Sequence, residues 1–192
     1  MAFAPSLELV KPIRGPQVDL QPGKVHALLF FPGRPAPPAK GKKKGAPTEE
    51  AAAAVPPPTP EEELARYQVY EAATACAEAH LSDVTFIGVA VNGAPDKTTE
   101  MLNADFLHPE SGELLRIGFG FVSVDQGGAT KAMYKAQSTA DHVAAFDDAV
   151  TLVIVDKLGK IIAAFGCTAQ GTSVFGSVEE LLKVEVAKKV KH

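Results

Sequence analysis

At 192 residues, 46% hydrophobic and 22% charged, the chain has the size and composition of one soluble globular domain with a buried core. Its formal charge of −4 argues against the basic surface that nucleic acid or an anionic membrane requires. No apolar run approaches the ~20 residues of a membrane span, and Met-Ala-Phe-Ala-Pro-Ser-Leu-Glu lacks the basic and apolar regions of a secretory signal. The two cysteines, Cys76 and Cys167, form neither a CxxC nor a metal-ligand spacing. Their separation suits a reducing compartment, so a cytoplasmic location is expected.

Leu7–Val10 alternates weakly and Gln17–Leu20 is a second short extended piece, which together predict an N-terminal β-hairpin. Val25 to Phe31 is almost continuously apolar, the pattern of a strand buried on both faces. From residue 32 to residue 60 the composition changes: nine prolines, Lys40-Gly-Lys-Lys-Lys44 and the alanine run 51–54 read as a Pro/Ala/Lys-rich insertion. Thr59 as N-cap, Pro60 at the first position and Glu61 to Glu63 predict a helix running to about His80.

Val84–Val91 is a second buried strand, and a helix is predicted near Asp96 to Leu107, broken by His108–Gly112. Phe119–Val124 is a third strand, followed by Asp125-Gln-Gly-Gly128 and a short helix at Ala129–Gln137. Val150–Val155, the turn Asp156–Gly159 and Lys160–Phe165 predict an antiparallel hairpin. Ser177, with Glu180 three residues on, predicts the start of a last helix that reaches about Val190. The chain is therefore expected to be one domain, 1–192, of the α/β class: a mixed central sheet with helices on both faces.

Three segments carry a resemblance to a known family: Gln17 to Phe31 with its Gly23-Lys24 turn, Val84 to Val91, and Thr151-Leu-Val-Ile-Val-Asp-Lys-Leu-Gly-Lys-Ile-Ile162. Their order and spacing resemble the thioredoxin-like superfamily, in its redoxin and TlpA-like branch. The resemblance implies a thioredoxin-like fold with function at two points. One is the corner after the first core strand, where a cysteine opens a helix whose N-terminus stabilises the thiolate. Here that corner reads Phe30-Phe-Pro-Gly-Arg-Pro35, without cysteine. The other is a cis-proline before the fourth strand, where this chain reads Phe146-Asp-Asp-Ala-Val150. The chain thus lacks both, and no catalytic residue is carried over.

The remaining candidates are few. Cys76, deep in its helix, reads as a small buried hydrophobe, whereas Cys167, after the last strand, reads as a more exposed thiol. The histidines show no HxH or HExxH spacing, and no cofactor or metal is called for. His26 reads as a core histidine. Asp147 and Asp148 are adjacent, which disfavours an acid/base pair. Asp125–Gly128 before a helix offers a weak anion site.

The expected function is that of a redox-inactive thioredoxin-fold protein acting as a protein-interaction module or structural subunit of a larger assembly, with a ciliary or flagellar axoneme as one setting. Its candidate partner-binding residues are Phe31, Pro32, Arg34, Lys42, Lys43 and Lys44, at the rebuilt corner. The competing readings are a single-cysteine thiol peroxidase or thiol transferase using Cys167, and an anion binder using the Asp125–Gly128 turn.

Overall fold

Val25 to Pro32 offers no polar face to water, and the computed structural model places it in the middle of the sheet as β2. The structure describes residues 3–33, 58–93, 105–116 and 118–189. β2 pairs in parallel with β3 (Val84–Val91) and antiparallel with β7 (Thr151–Val155). β6 (Phe121–Asp125) adds in parallel to β3, β1 (Lys11–Arg14) antiparallel to β6, and β8 (Ile161–Gly166) antiparallel to β7. The described residues thus form a six-stranded mixed sheet of order β1-β6-β3-β2-β7-β8.

Alternation along β2 divides the core. Val25, Ala27, Leu29 and Phe31 face one layer, with Val69, Tyr70, Ala73, Cys76 and Ala77 of α1 (Pro60–Ala79) and Val178 and Leu182 of the last helix. Leu28 and Phe30 face the other layer, with Leu7, Val10 and Phe146, and with Tyr134 of α2 (Ala129–Gln137). The Phe30 ring lies 5.3 Å from that of Tyr134, whose hydroxyl donates to the carbonyl of Pro5 at 3.0 Å. That bond ties the N-terminal segment onto the second layer.

Several local expectations are revised. The N-terminal segment runs opposite to β2, yet β1 bonds to β6, because β2 already has both edges filled by β3 and β7. Leu7–Val10 is a turn, closed by the Val10 N–H on the Leu7 carbonyl at 3.2 Å, since Leu7 and Val10 both turn into the core.

The helix expected at Asp96–Leu107 lies largely outside the described residues, but its end does not. Asp105–Leu107 is β4, paired antiparallel with β5 (Leu114–Arg116). Phe106 stacks on Tyr70 with centroids 3.7 Å apart, which holds this hairpin on α1. His108 Nδ1 accepts the N–H groups of Glu110 and Ser111, closing the turn.

Two short elements escape the sequence pattern: α3 (Ala140–Val143), continued by a 3-10 turn at Ala144–Asp147, and α4 (Cys167–Gln170). The last helix, α5, spans Val174–Ala187 with Ser173 rather than Ser177 at its N-cap. Burial of Val174 and Phe175 draws the helix back by one turn.

Candidate functional site

β2 ends at Pro32, and the Gly33 N–H donates to the Val91 carbonyl at 2.7 Å. A Cβ on Gly33 would sit 2.5 Å from Gly93, so this close approach of two backbones requires glycine. The chain is described again from Pro58, at the start of α1. There Thr59 is the expected N-cap, and it closes a capping box that was not anticipated: its Oγ1 accepts the Glu62 N–H at 3.3 Å, while Glu62 Oε2 accepts the Thr59 N–H at 2.7 Å. The helix end that the family resemblance assigns to a thiolate therefore carries proline and three glutamates.

Beside this helix start lies an open cleft of about 630 Å³. Glu62 and Arg66 of α1 form one wall. Asp141, Ala144, Ala145 and the segment Asp147–Ala149 form another, and the floor comes from Ala164 and Gly166 of β8 and Thr168–Gln170 of α4.

Asp148 holds these parts together. Its Oδ1 accepts the Val150 N–H at 3.1 Å, its Oδ2 the Ala169 N–H at 2.6 Å, and its carbonyl the Lys131 ammonium at 2.7 Å. A Cβ on Gly166 would come within 2.9 Å of Asp148 Oδ2, so a glycine there lets the carboxylate reach α4. Asp147 turns instead to an ion pair with Lys135. The two adjacent carboxylates serve separate structural partners and do not converge on one proton, in line with the sequence expectation.

Of the residues that line the cleft, Arg66 and Thr168 each hold one side-chain atom, Nε and Oγ1, that is buried away from the cleft surface with no hydrogen-bond partner among the described residues. Glu62, one turn before Arg66, is its natural helical partner. That carboxylate is bent back onto Thr59 and leaves the guanidinium without it.

The thiols are elsewhere. Cys76 is 2% exposed, and burial, aided by the negative charge of Glu179, pushes its pKa up to about 11. Cys167 is fully buried at the start of α4, and burial pushes its thiol up to about 12. The expectation that Cys167 is the more exposed thiol is thereby corrected: its N–H bonds the Val150 carbonyl at 2.8 Å, which draws the residue beneath the cleft floor.

The expected partner residues are only partly described. Phe31 is wholly buried, with its ring edge-on to Tyr70 and to Phe106 at 6.0 and 5.3 Å, so it has no surface to offer a partner and belongs to the core. Pro32 is half-buried at the strand end. Arg34, Lys42, Lys43 and Lys44 lie outside the described residues.

The anion reading of Asp125–Gly128 is also corrected. Asp125 is buried, and its carboxylate accepts the N–H groups of Thr130 and Lys131 at 3.1 and 2.9 Å. The chain's own carboxylate thus occupies the helix start that a phosphate would need. His26 lies in the core as expected, its Nε2 accepting the Gln21 N–H at 3.1 Å.

Arg66, Thr168 and the bridging role of Asp148 were not singled out from the sequence. The i,i+4 spacing of Glu62 and Arg66 is the one local signal, and by itself it describes no more than an ordinary helix-surface pair.

No protein-family model matches the chain, and no curated relative does. Solved structures do. BsSco, a member of the Sco family of cytochrome c oxidase assembly proteins, is similar at 10% identity and a TM-score of 0.54, over 98% of this chain and 95% of its own. Plasmodium yoelii Prx1a is similar at 13% identity and TM-score 0.51, over 100% and 96% of the two chains. Plasmodium vivax 2-Cys peroxiredoxin is similar at 14% and 0.50, over 94% and 96%.

Proposed function

From a chain with the thioredoxin-like fold and redoxin-like structural neighbours, we propose a redox-inactive protein that works by binding a protein partner. The observation that carries this reading is the placement of both thiols. Neither is accessible and neither approaches the thiolate form near neutral pH, which thiol exchange and peroxide reduction both require.

The corner beside α1 supports it further, because glutamates stand where an electropositive helix start would activate a thiol. The corner keeps an open cleft without a nucleophilic sulfur, and a cleft of that kind can bind without turnover. In this reading the chain is an interaction subunit of a larger assembly, and Arg34, Lys42, Lys43 and Lys44 remain its candidate partner-binding residues from the sequence. No described helix is long and apolar enough to cross a membrane.

The test is to assay the purified chain for insulin disulfide reduction and for peroxide consumption, beside the Cys76→Ser/Cys167→Ser variant. The expected result is background turnover in both, with the two thiols of the native chain unlabelled by a thiol reagent until denaturant is added. Turnover in the parent that disappears in the variant would overturn the proposal. Elution of the native protein from its own extract solely as a monomer would argue against the assembly.

A further inference from the structure

Of the 15 prolines in the chain, only Pro60 follows a serine or threonine. The pair opens α1: Thr59 is the N-cap in extended backbone, with φ −69° and ψ 159°, and Pro60 is the first helical residue. Thr59 to Glu63 are all exposed, and the first buried side chain of α1 is Tyr67. The bonds that Thr59 makes are local, namely the two of the capping box and the Glu63 N–H on its carbonyl at 2.9 Å. Water replaces such bonds when the turn opens, and no core is uncovered.

A hydroxyl reaches the active site of a protein kinase on a segment that can leave its own fold, and this turn supplies one. The proline adds direction. It has no N–H, so it fits a kinase groove that offers the following residue no hydrogen-bond acceptor, where any other residue would bury an unpaired donor. Ser177-Val-Glu-Glu180 also places carboxylates after an exposed hydroxyl, but the structure separates the two cases. Val174, Phe175 and Val178 around Ser177 are buried, so that segment cannot leave its helix without opening the core.

We propose that Thr59 is a phosphorylation site for a proline-directed serine/threonine kinase, and that the phosphate opens the capping box. Thr59 Oγ1 attacks the γ-phosphorus of ATP. The Oγ1–P bond forms, the bond from that phosphorus to the ADP oxygen breaks, and the hydroxyl proton passes to the kinase's catalytic carboxylate.

The product carries about two negative charges at neutral pH. Glu62 Oε2, which holds the Thr59 N–H at 2.7 Å, then stands beside the phosphate, with Glu61 and Glu63 in the same turn. These carboxylates oppose it against about half a positive charge at the helix end. The Glu62 carboxylate therefore leaves the box and the first turn frays. Glu62 is also part of the cleft wall, so modification alters the mouth of the cleft. Nothing in this step depends on what the cleft binds.

The experiment incubates the full native chain with a purified mitogen-activated protein kinase and γ-labelled ATP. Beside it stand Thr59→Asn, which keeps an N-cap without a hydroxyl, and Pro60→Ala, which keeps the hydroxyl and restores an N–H. Label is expected in the parent, mapped to Thr59 by mass spectrometry, and absent from Thr59→Asn. The rate should fall about tenfold in Pro60→Ala. Both variants should keep the parent's circular dichroism spectrum. In the phosphorylated chain the amide hydrogens of Glu62 and Glu63 should exchange about tenfold faster, with those of β2 unchanged.

No label in the native chain, label only after denaturation, equal label in Thr59→Asn, or an undiminished rate in Pro60→Ala would overturn the site. Unchanged or slower exchange at Glu62 and Glu63 would overturn the opening of the box.

Discussion

His26 shows how one buried residue sets a pH response. The Gln21 N–H points at its Nε2, so that nitrogen must stay unprotonated for the bond to exist. Burial lowers the imidazole pKa from 6.5 to about 4. Above pH 6.5 the ring is neutral in both folded and unfolded chains, and its share of stability is fully present. As pH falls from about 6.5 to about 4, the unfolded chain takes up a proton that the folded chain refuses, so stability declines. The loss is on the order of 3 kcal/mol across that window. Urea unfolding followed by circular dichroism at pH 7 and pH 4.5 should show the decline, and His26→Leu should flatten it. An equal pH dependence in the variant would mean that other groups carry it.

At the scale of elements, the start of α1 is the part most clearly specified by local sequence. Thr59 and Glu62 exchange backbone and side-chain hydrogen bonds, and both depend only on residues three apart. Thr59→Ala removes the acceptor for the Glu62 N–H and is expected to cost about 0.5–2 kcal/mol of stability. Hydrogen exchange should report faster exchange in the first turn of α1, beside the cleft, with little change in β2. The β4–β5 hairpin is the opposite case. No local periodicity marks Asp105–Leu107 as a strand, and its position follows from Phe106 stacking on Tyr70, a contact across 36 positions of chain. The start of α5 likewise moved from Ser177 to Ser173 because burial of Val174 and Phe175 outweighs a local capping pattern.

For the whole molecule, β2 is the element on which both core layers rest. Phe31 sits at its end with no exposure, between Tyr70 and Phe106. Phe31→Ala should therefore destabilise the fold by about 3–5 kcal/mol, as large core truncations do. Denaturant titration measures it. A loss below about 1 kcal/mol would return Phe31 to the surface role that the sequence suggested.

The sheet itself was legible without coordinates: four buried runs with turn residues between them are unambiguous, and their order implies helix crossovers and a closing hairpin. The absence of cysteine at the corner was equally plain, since it is a matter of composition at one place. The cleft was not legible. Arg66, Asp148 and the neighbouring Gly166 and Thr168 stand on three separate stretches of chain that form no motif together. Asp148 became a bridge only when β7 and β8 brought residues 150 and 169 within reach of one carboxylate.

The sequence by itself determined the class of fold, the capped start of α1 and the loss of a corner thiol, because each follows from contacts or compositions only a few residues long. Tertiary structure decided the burial of Cys167 and Phe31, the pairing of β1 with β6, and the bridging of Val150 and Ala169 by Asp148. Burial and hydrogen-bond satisfaction depend on which distant segments meet, and no local pattern encodes that meeting.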